Sequence, residues 1–395
     1  MMKKKLNLIN VLNPYSLFSK ELNTDRIFGL DILRAFAIIV VIMDHGKFMF
    51  PRKIVELHQY VQFDGVTVFF VLSGLLIGKI LIKQMEHDKV SFRLLLDFWI
   101  RRWFRTLPTY FLILSVVMVC YSIKDASFAF VKMSRYYFFC QNFFHISHLY
   151  FPEAWSLSVE EWFYFMIPAL IFLFILVFKL KPKISILIVV FIVLCSVTFL
   201  RYTIFLDHDE EKARTFHHIV IFRLDSIMYG VIGAYINYYC LKYWNLIPGY
   251  LFLAGIGIFV LQKYFSLNNI FPDLTGAYKV IFEFSLTSLG TLMLLPYLTT
   301  LKNRKCNMGK IITIISILSY SMYLTHMTLI KDMILYSIPW TSFTTNYNII
   351  IPVMYSLYWG ITLLLSIIIY QFYESPMTRL RDQFSLVQRP EKATT

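Results

Sequence analysis

The sequence predicts an all-α fold: a polytopic bundle of about ten transmembrane helices with both termini in the cytoplasm. Of the 395 residues, 58% are hydrophobic and only 16% are charged, and the mean hydropathy is +0.61. A soluble domain has roughly 25% charged residues. Apolar stretches of about 20 residues, the length that a helix needs to cross a bilayer, recur along the whole chain.

The predicted spans follow one another through short connections, and the third and seventh are the shortest. Their ranges are 31–50, 62–82, 106–122, 157–178, 184–205, 219–239, 248–264, 280–300, 311–333 and 349–372. We expect residues 1–28 to form a cytoplasmic leader, residues 29–373 the transmembrane domain and residues 374–395 a cytoplasmic tail.

The basic residues indicate the orientation of the bundle. Lys and Arg gather in alternate connections, most densely between Lys79 and Arg105, and such connections face the cytoplasm. The net charge of +14 therefore serves as a topology signal. A nucleic-acid partner is not expected, because nucleic-acid binders gather their charge on a solvated domain, so the predicted surroundings are membrane lipids.

The sequence lacks the motifs of several kinds of catalytic or binding site. The five cysteines form no C-x-x-C pair, and the histidines of the predicted outer loops lack ligand spacing, so we expect neither a metal site nor a disulfide framework. No nucleophile elbow of the form G-x-S-x-G and no phosphate-binding G-x-x-x-x-G-K-[ST] loop occurs.

The first predicted span carries charged groups at both of its ends. Arg34 and His45 in "GLDILRAFAIIVVIMDHGKF" are eleven residues apart, so they share a helix face and lie roughly 16 Å apart along the axis. That spacing suits a long, partly anionic substrate. Alternatively, Arg34 extends to the lipid headgroups and His45 is an interfacial hydrogen-bonding residue. Asp31 could pair with Arg34, and Asp44 could orient His45 or face the headgroups.

Six stretches that contain polar residues follow in order along most of the chain. They are "GLDILRAFAIIVVIMDHG", "DGVTVFFVLSGLLIGKIL", "RRWFRTLPTYFL", "WSLSVEEWFYFMIPAL", "FRLDSIMYG" and "SYSMYLTHMTLI". This ordered set resembles the acyltransferase-3 family, membrane-integral enzymes that O-acylate bacterial cell-surface glycans. Arg34 and His45 match the family pattern of an Arg, ten residues and a His.

The resemblance implies a reaction and a location. An acyl group, which we expect to be acetyl, would pass from cytoplasmic acetyl-CoA to a hydroxyl of a surface polysaccharide, such as lipopolysaccharide or capsule, or of a lipid-linked glycan. The protein would then lie in the bacterial inner (cytoplasmic) membrane. Sugar hydroxyls need a positioned base, and His45 is the candidate, either as a general base or as an acyl-histidine nucleophile.

The candidate donor site is the basic motif together with Arg34. Arg101, Arg102 and Arg105 are expected at the start of the third span, where guanidinium groups on one helix face suit the phosphates of CoA. The alternative is ordinary anchoring by positive residues on the cytoplasmic side.

The remaining candidates are expected near the outer side of the membrane. Glu160 and Glu161 could orient an imidazolium or bind the acceptor, although Ser158 and Glu161 also fit a helix capping box. We also expect substrate contacts from the side chains of Asp44, Trp155, Arg223, Asp225, Tyr323 and His326. A structural ion pair for Arg223 and Asp225, and core hydrogen bonding for Tyr323 and His326, are the competing interpretations.

Two other function classes fit the same composition. A transporter or flippase of glycan or lipid intermediates would use buried charges for binding without covalent transfer. A non-catalytic membrane scaffold would leave the shared face of Arg34 and His45 unexplained.

Overall fold

The computed structural model describes residues 18, 22, 26–124, 130–146, 150–273, 275–302 and 307–384. Every regular element in these ranges is a helix, and they contain no strand. The predicted all-α fold is therefore confirmed. Most of the predicted leader and the end of the predicted tail lie outside the described residues.

The α-helices vary widely in length. They are α1 (Phe28–Gly46), α2 (Arg52–His58), α3 (Gly65–His87), α4 (Phe92–Lys124), α5 (Phe130–Tyr137), α6 (Ala154–Leu176), α7 (Pro182–Asp207), α8 (Glu210–Thr215), α9 (Leu224–Tyr239), α10 (Leu241–Trp244), α11 (Pro248–Leu267), α12 (Glu283–Leu298), α13 (Asn307–Thr325), α14 (Tyr347–Ile369) and α15 (Ser375–Leu380). Three π-helical segments, Tyr278–Phe282, His326–Ile334 and Tyr370–Glu374, adjoin α12, α13 and α14.

Eight helical segments are long and apolar enough to cross a bilayer. They are Gly65–His87, Phe92–Lys124, Ala154–Leu176, Pro182–Asp207, Pro248–Leu267, Tyr278–Leu298, Asn307–Ser342 and Tyr347–Leu380. The other two predicted spans are also helical: α1 has 19 residues with three charged side chains, and α9 has 16 residues. The total of ten spans and the cytoplasmic termini stay predictions.

Helix α4 corrects one predicted boundary. The third span was expected to start at residue 106, but the helix begins at Phe92 and continues through Pro108 to Lys124. The basic motif therefore lies well inside the helix and not at its start. The hydrophobic pattern did not predict this start because Arg101, Arg102 and Arg105 interrupt the apolar residues. In the bundle, Arg102 has polar partners on α6.

Helix α1 lies between two apolar cores. Its first half contributes Leu30, Leu33 and Ala37 to a core shared with α3, α6, α7 and α9. Its second half contributes Ile38 and Ile42 to a core shared with α4, α13 and α14. Helix α1 is therefore packed on both sides.

The crossing of α3 and α9 depends on two glycines. A Cβ atom at Gly74 would lie 2.0 Å from the carbonyl oxygen of Ile227, and one at Gly230 would lie 2.1 Å from that of Val71. Small residues allow such close backbone approach between membrane helices. This crossing fixes the start of α3 beside Arg223, the residue before α9.

Replacing Gly230 by alanine should destabilise the protein. The added methyl group would overlap backbone atoms of α3, and overpacking of this kind typically costs about 1–3 kcal/mol. Gly257→Ala is the matched control, because a Cβ atom at this glycine on α11 meets nothing within 4 Å. We expect the apparent melting temperature in detergent to fall for Gly230→Ala only. Equal melting temperatures for the two variants would show that the crossing is not tight.

Candidate functional site

The cavity that contains His45 lies where α1, α3 and α11 approach the segment before α9. We call it the histidine cavity; its volume is about 450 Å³. Predicted residues on its wall are Asp44, His45, Trp155 and Arg223. The polar residues that sequence reasoning missed are Gln62, Asp64, His217, Gln262, Lys263, Ser266, Lys279, Glu283 and Thr287. Acids, bases, amides, hydroxyl groups and aromatic rings thus share one wall.

His45 is held by a second predicted residue. The Nδ1 atom of His45 lies 2.7 Å from Nε2 of His326, and the two ring planes are 12° apart with their centroids separated by 5.0 Å. His326 is completely buried and does not line the cavity. The structure therefore brings two distant motifs of the sequence into direct contact, although His326 itself has no access to a ligand in the cavity.

Asp44 does not orient His45 through a hydrogen bond in the described part of the chain. Its carboxylate accepts a hydrogen bond of 2.8 Å from Lys47 and lies 3.8 Å from Nδ1 of His58. It lines the histidine cavity instead, where it can meet a ligand.

Arg223 is the most unusual cation of the cavity wall. It is only 1% exposed, Nη2 donates a hydrogen bond of 2.5 Å to Thr67, and the guanidinium lies 3.8 Å from the ring centroid of Phe284. Asp64 approaches it to 3.7 Å. The Nε and Nη1 atoms have no hydrogen-bond partner in the described structure. Two unpaired donors on a buried cavity wall are costly unless a ligand satisfies them.

Asp225 has a structural role that sequence reasoning left open. Its carboxylate accepts a hydrogen bond of 2.7 Å from Arg201, and the exposed fractions of the two side chains are 2% and 0%. Ser285 donates a second hydrogen bond of 3.2 Å. Asp225 thus belongs to an interhelical ion pair and not to the cavity wall. Arg201 was missed, although a lone arginine in the apolar run of α7 was the available signal.

Trp155 and His217 add an aromatic side to the cavity. The Trp155 ring packs edge-to-face against His218 at 4.9 Å and against Phe70 at 6.0 Å. Burial, and after it the positive charge of Arg223, lowers the pKa of His217 to about 4. His217 is therefore neutral near pH 7, where it can both donate and accept a hydrogen bond.

A second polar region surrounds Arg34, near the other end of α1. We call Arg26, Arg34, Arg102 and Arg105 the arginine cluster, because Arg34 lies within electrostatic range of the other three. The suggested pairing of Asp31 with Arg34 is wrong, since Asp31 pairs with Arg26 at 2.5 Å. In the described structure Arg34 makes no hydrogen bond or ion pair, whereas Arg26 pairs with Asp31 and Arg102 with Glu160.

Glu160 and Glu161 lie beside the arginine cluster and not on the wall of the histidine cavity. Glu160 accepts hydrogen bonds of 2.7 Å from Ser73 and 3.0 Å from Tyr164, and Arg102 lies 3.8 Å away. Arg102 also donates a hydrogen bond of 2.5 Å to Tyr164 and lies over its ring.

The capping-box interpretation of Glu161 is wrong. Helix α6 begins at Ala154, so Ser158 lies inside it and donates back to the Ala154 carbonyl. Glu161 instead accepts a hydrogen bond of 2.8 Å from Thr106 on α4. The two adjacent glutamates therefore join α6 to the helix that carries the basic motif.

The other predicted residues do not reach the cavity. Tyr323 is buried, with its hydroxyl bonded to Ser156 at 2.7 Å and to the carbonyl oxygen of Glu153 at 2.9 Å. Arg101 is partly exposed and Arg105 is exposed on α4. Within the described ranges, no three His, Cys, Asp or Glu side chains are placed to hold a metal ion.

The chain is similar in sequence to known proteins. Residues 27–371 match a family described as an acyltransferase domain. The chain is 34% identical over 204 residues to the peptidoglycan O-acetyltransferase OatA of Listeria monocytogenes, an alignment that covers 48% of this chain and 30% of that protein. It is 32% identical over 183 residues to a provisionally named peptidoglycan O-acetyltransferase of Bacillus subtilis, covering 42% and 27%.

A third relative extends the comparison. A provisionally named O-acetyltransferase of Staphylococcus aureus is 29% identical over 239 residues, or 57% of this chain and 37% of that protein. The chain thus matches about a third of the length of these curated relatives. No solved structure shows significant similarity to it.

Proposed function

The chain belongs to this acyltransferase family, and we propose that it is a membrane O-acetyltransferase that transfers an acetyl group from acetyl-CoA to a hydroxyl of a cell-surface glycan. One observation carries the proposal: α1 presents the unpaired Arg34 near one end and the cavity-lining His45 near the other. An anionic donor and a hydroxylic acceptor could thus meet along a single helix.

The histidine cavity is the proposed acceptor site. Its mixture of acids, bases and amides matches the alternating donors and acceptors of a sugar, and Trp155 offers an aromatic face to a sugar ring. The free Nε and Nη1 donors of Arg223 would bind sugar oxygens. The relatives are named for peptidoglycan, so a polysaccharide of the bacterial envelope, or its lipid-linked precursor, is the proposed acceptor.

The arginine cluster is the proposed donor site. CoA carries several phosphate charges, and guanidinium groups bind phosphate oxygens in a forked geometry. Glu160 and Tyr164 hold Arg102 in position, whereas Arg34 is free to bind the donor. The separation of Arg34 from His45, roughly 16 Å along the helix, leaves room for the extended arm of CoA between phosphate and thioester.

The proposed reaction is a direct acyl transfer. His45 takes the proton of the acceptor hydroxyl, the hydroxyl oxygen bonds to the thioester carbonyl carbon, and the carbon–sulfur bond breaks. The sulfur leaves with the electron pair and takes up the proton. The proposed location is the bacterial cytoplasmic membrane, with acetyl-CoA supplied from the cytoplasm.

Removal of the base should abolish transfer. Purified wild-type protein should release CoA thiol only when both acetyl-CoA and a glycan acceptor are present. General-base removal typically costs roughly 10²–10⁴-fold in rate, so we expect such a loss for His45→Ala and also for His45→Gln, which cannot take up the proton. His145→Ala is the matched control, because His145 is exposed and outside the cavity.

Other results would contradict these assignments. Thiol release independent of the acceptor, or glycan movement across a membrane without an acetylated product, would favour simple hydrolysis or a transporter over the proposed function. A His45→Ala variant that keeps more than about a tenth of wild-type transfer would exclude His45 as the general base.

Loss of Arg34 should weaken donor binding. A lost charged hydrogen bond costs roughly 1.5–3 kcal/mol, which corresponds to about a tenfold to hundredfold rise in the Kd for acetyl-CoA. Arg93→Ala is the control, since Arg93 is exposed near the start of α4. Calorimetric titration of the two purified variants with acetyl-CoA measures the effect. An unchanged Kd for Arg34→Ala would show that Arg34 does not bind the donor and serves only to orient the helix in the membrane.

A further inference from the structure

His326 has no direct access to a ligand, yet it contacts the proposed base. It is completely buried, and its two ring nitrogens have different neighbours. Nδ1 lies 2.7 Å from the carbonyl oxygen of Tyr323 and 3.1 Å from that of Met322. Nε2 lies 2.7 Å from Nδ1 of His45. These contacts determine where the protons lie.

The carbonyl oxygens decide the tautomer of His326. A carbonyl oxygen only accepts hydrogen bonds, so Nδ1 of His326 carries the proton and donates to Tyr323. A neutral imidazole has one N–H, which leaves Nε2 of His326 as an acceptor. The doubly protonated ring is disfavoured, because the site is fully buried and no carboxylate among the described residues hydrogen-bonds to His326.

The same logic then sets the tautomer of His45. Since Nε2 of His326 accepts, Nδ1 of His45 donates the proton between the two rings. The basic lone pair of His45 is therefore on Nε2, which has no hydrogen-bond partner in the described structure. His45 lines the histidine cavity, so this free nitrogen is the one available to an acceptor hydroxyl.

We propose that His326 is a positioning residue that holds His45 in the Nδ1-protonated tautomer, with Nε2 free for the acceptor hydroxyl. This inference rests on the proposed function, because it assigns a direction to the base of that reaction. When His45 takes up the hydroxyl proton at Nε2, its Nδ1–H donates a charge-assisted hydrogen bond to His326. His326 thus orients the base and stabilises its protonated form.

A neutral hydrogen-bond acceptor for His45, such as His326, suits the interior of an apolar bundle. In serine hydrolases a buried aspartate holds the histidine in the correct tautomer. Within an apolar bundle an ionised carboxylate is expensive to bury. The nearby charged groups are Asp44, Lys47 and Lys331. None of these three makes a hydrogen bond to either imidazole in the described structure.

The segment that carries His326 is fixed by contacts to the start of α6. Thr328 donates its backbone N–H at 3.0 Å and its hydroxyl at 2.6 Å to the buried Glu153. The Tyr323 hydroxyl donates to the carbonyl oxygen of the same glutamate. The π-helical turn that starts at His326 is therefore anchored on both sides of the imidazole.

Two substitutions separate positioning from packing. His326→Leu fills the space but accepts no hydrogen bond, whereas the amide oxygen of His326→Gln can accept one from His45. We expect kcat to fall by roughly 10²-fold in His326→Leu and to stay within about tenfold of wild type in His326→Gln. The KM for acetyl-CoA should change little in either variant. The double variant His45→Ala/His326→Leu should be no slower than His45→Ala alone.

Nitrogen-15 NMR of histidine-labelled protein tests the tautomer without any reaction. The His45 signals, assigned by their absence in His45→Ala, should show a protonated Nδ1 and an unprotonated Nε2 in wild type. They should show a mixture of tautomers in His326→Leu. A wild-type His45 protonated at Nε2, or a His326→Leu variant with wild-type kcat, would overturn the inference. Failure of the wild type to transfer acetyl would instead refute the proposed function, while the NMR result still decides the tautomer.

Discussion

The free-energy cost of burying a charge determines how the charged side chains of this structure are arranged. A charged side chain inside an apolar bundle must be paired, hydrogen-bonded or exposed to a wet cavity. Arg201 and Asp225 satisfy each other, and Arg26 satisfies Asp31. Arg34 makes no hydrogen bond or ion pair in the described structure, and two nitrogens of Arg223 have no hydrogen-bond partner there. Arg34 belongs to the arginine cluster and Arg223 lies on the wall of the histidine cavity, and these are the places where we put the two substrates.

Helix packing sets the distance between the two sites. Helix α1 joins both apolar cores, so a shift of α1 would disturb the packing on two sides. The glycine crossing of α3 and α9 holds Thr67 against Arg223, and Glu160 with Glu161 connects α6 to α3 and α4. The two polar regions are therefore parts of one rigid framework.

The sequence predicted the elements better than their contacts. Hydrophobic run length identified the helical spans, and the spacing of Arg34 and His45 pointed to the helix that has one residue in the arginine cluster and one on the cavity wall. The start of α4 was missed because its charged residues interrupt the apolar pattern. The contact of His45 with His326, the pairing of Asp225 with Arg201 and the placing of Glu160 beside Arg102 join residues far apart in the chain. Periodicity along single helices carries no information about such contacts.

We propose that the acetyl group is transferred between opposite faces of the membrane. The decisive measurement uses vesicles with the protein in one orientation, acetyl-CoA on the face nearer Arg34 and glycan acceptor on the face nearer the histidine cavity. We predict acetylated glycan in this arrangement and none when donor and acceptor exchange faces. Acetylation only when both substrates share one face would contradict transfer along α1. Movement of unmodified glycan across the vesicle membrane would show a transporter instead.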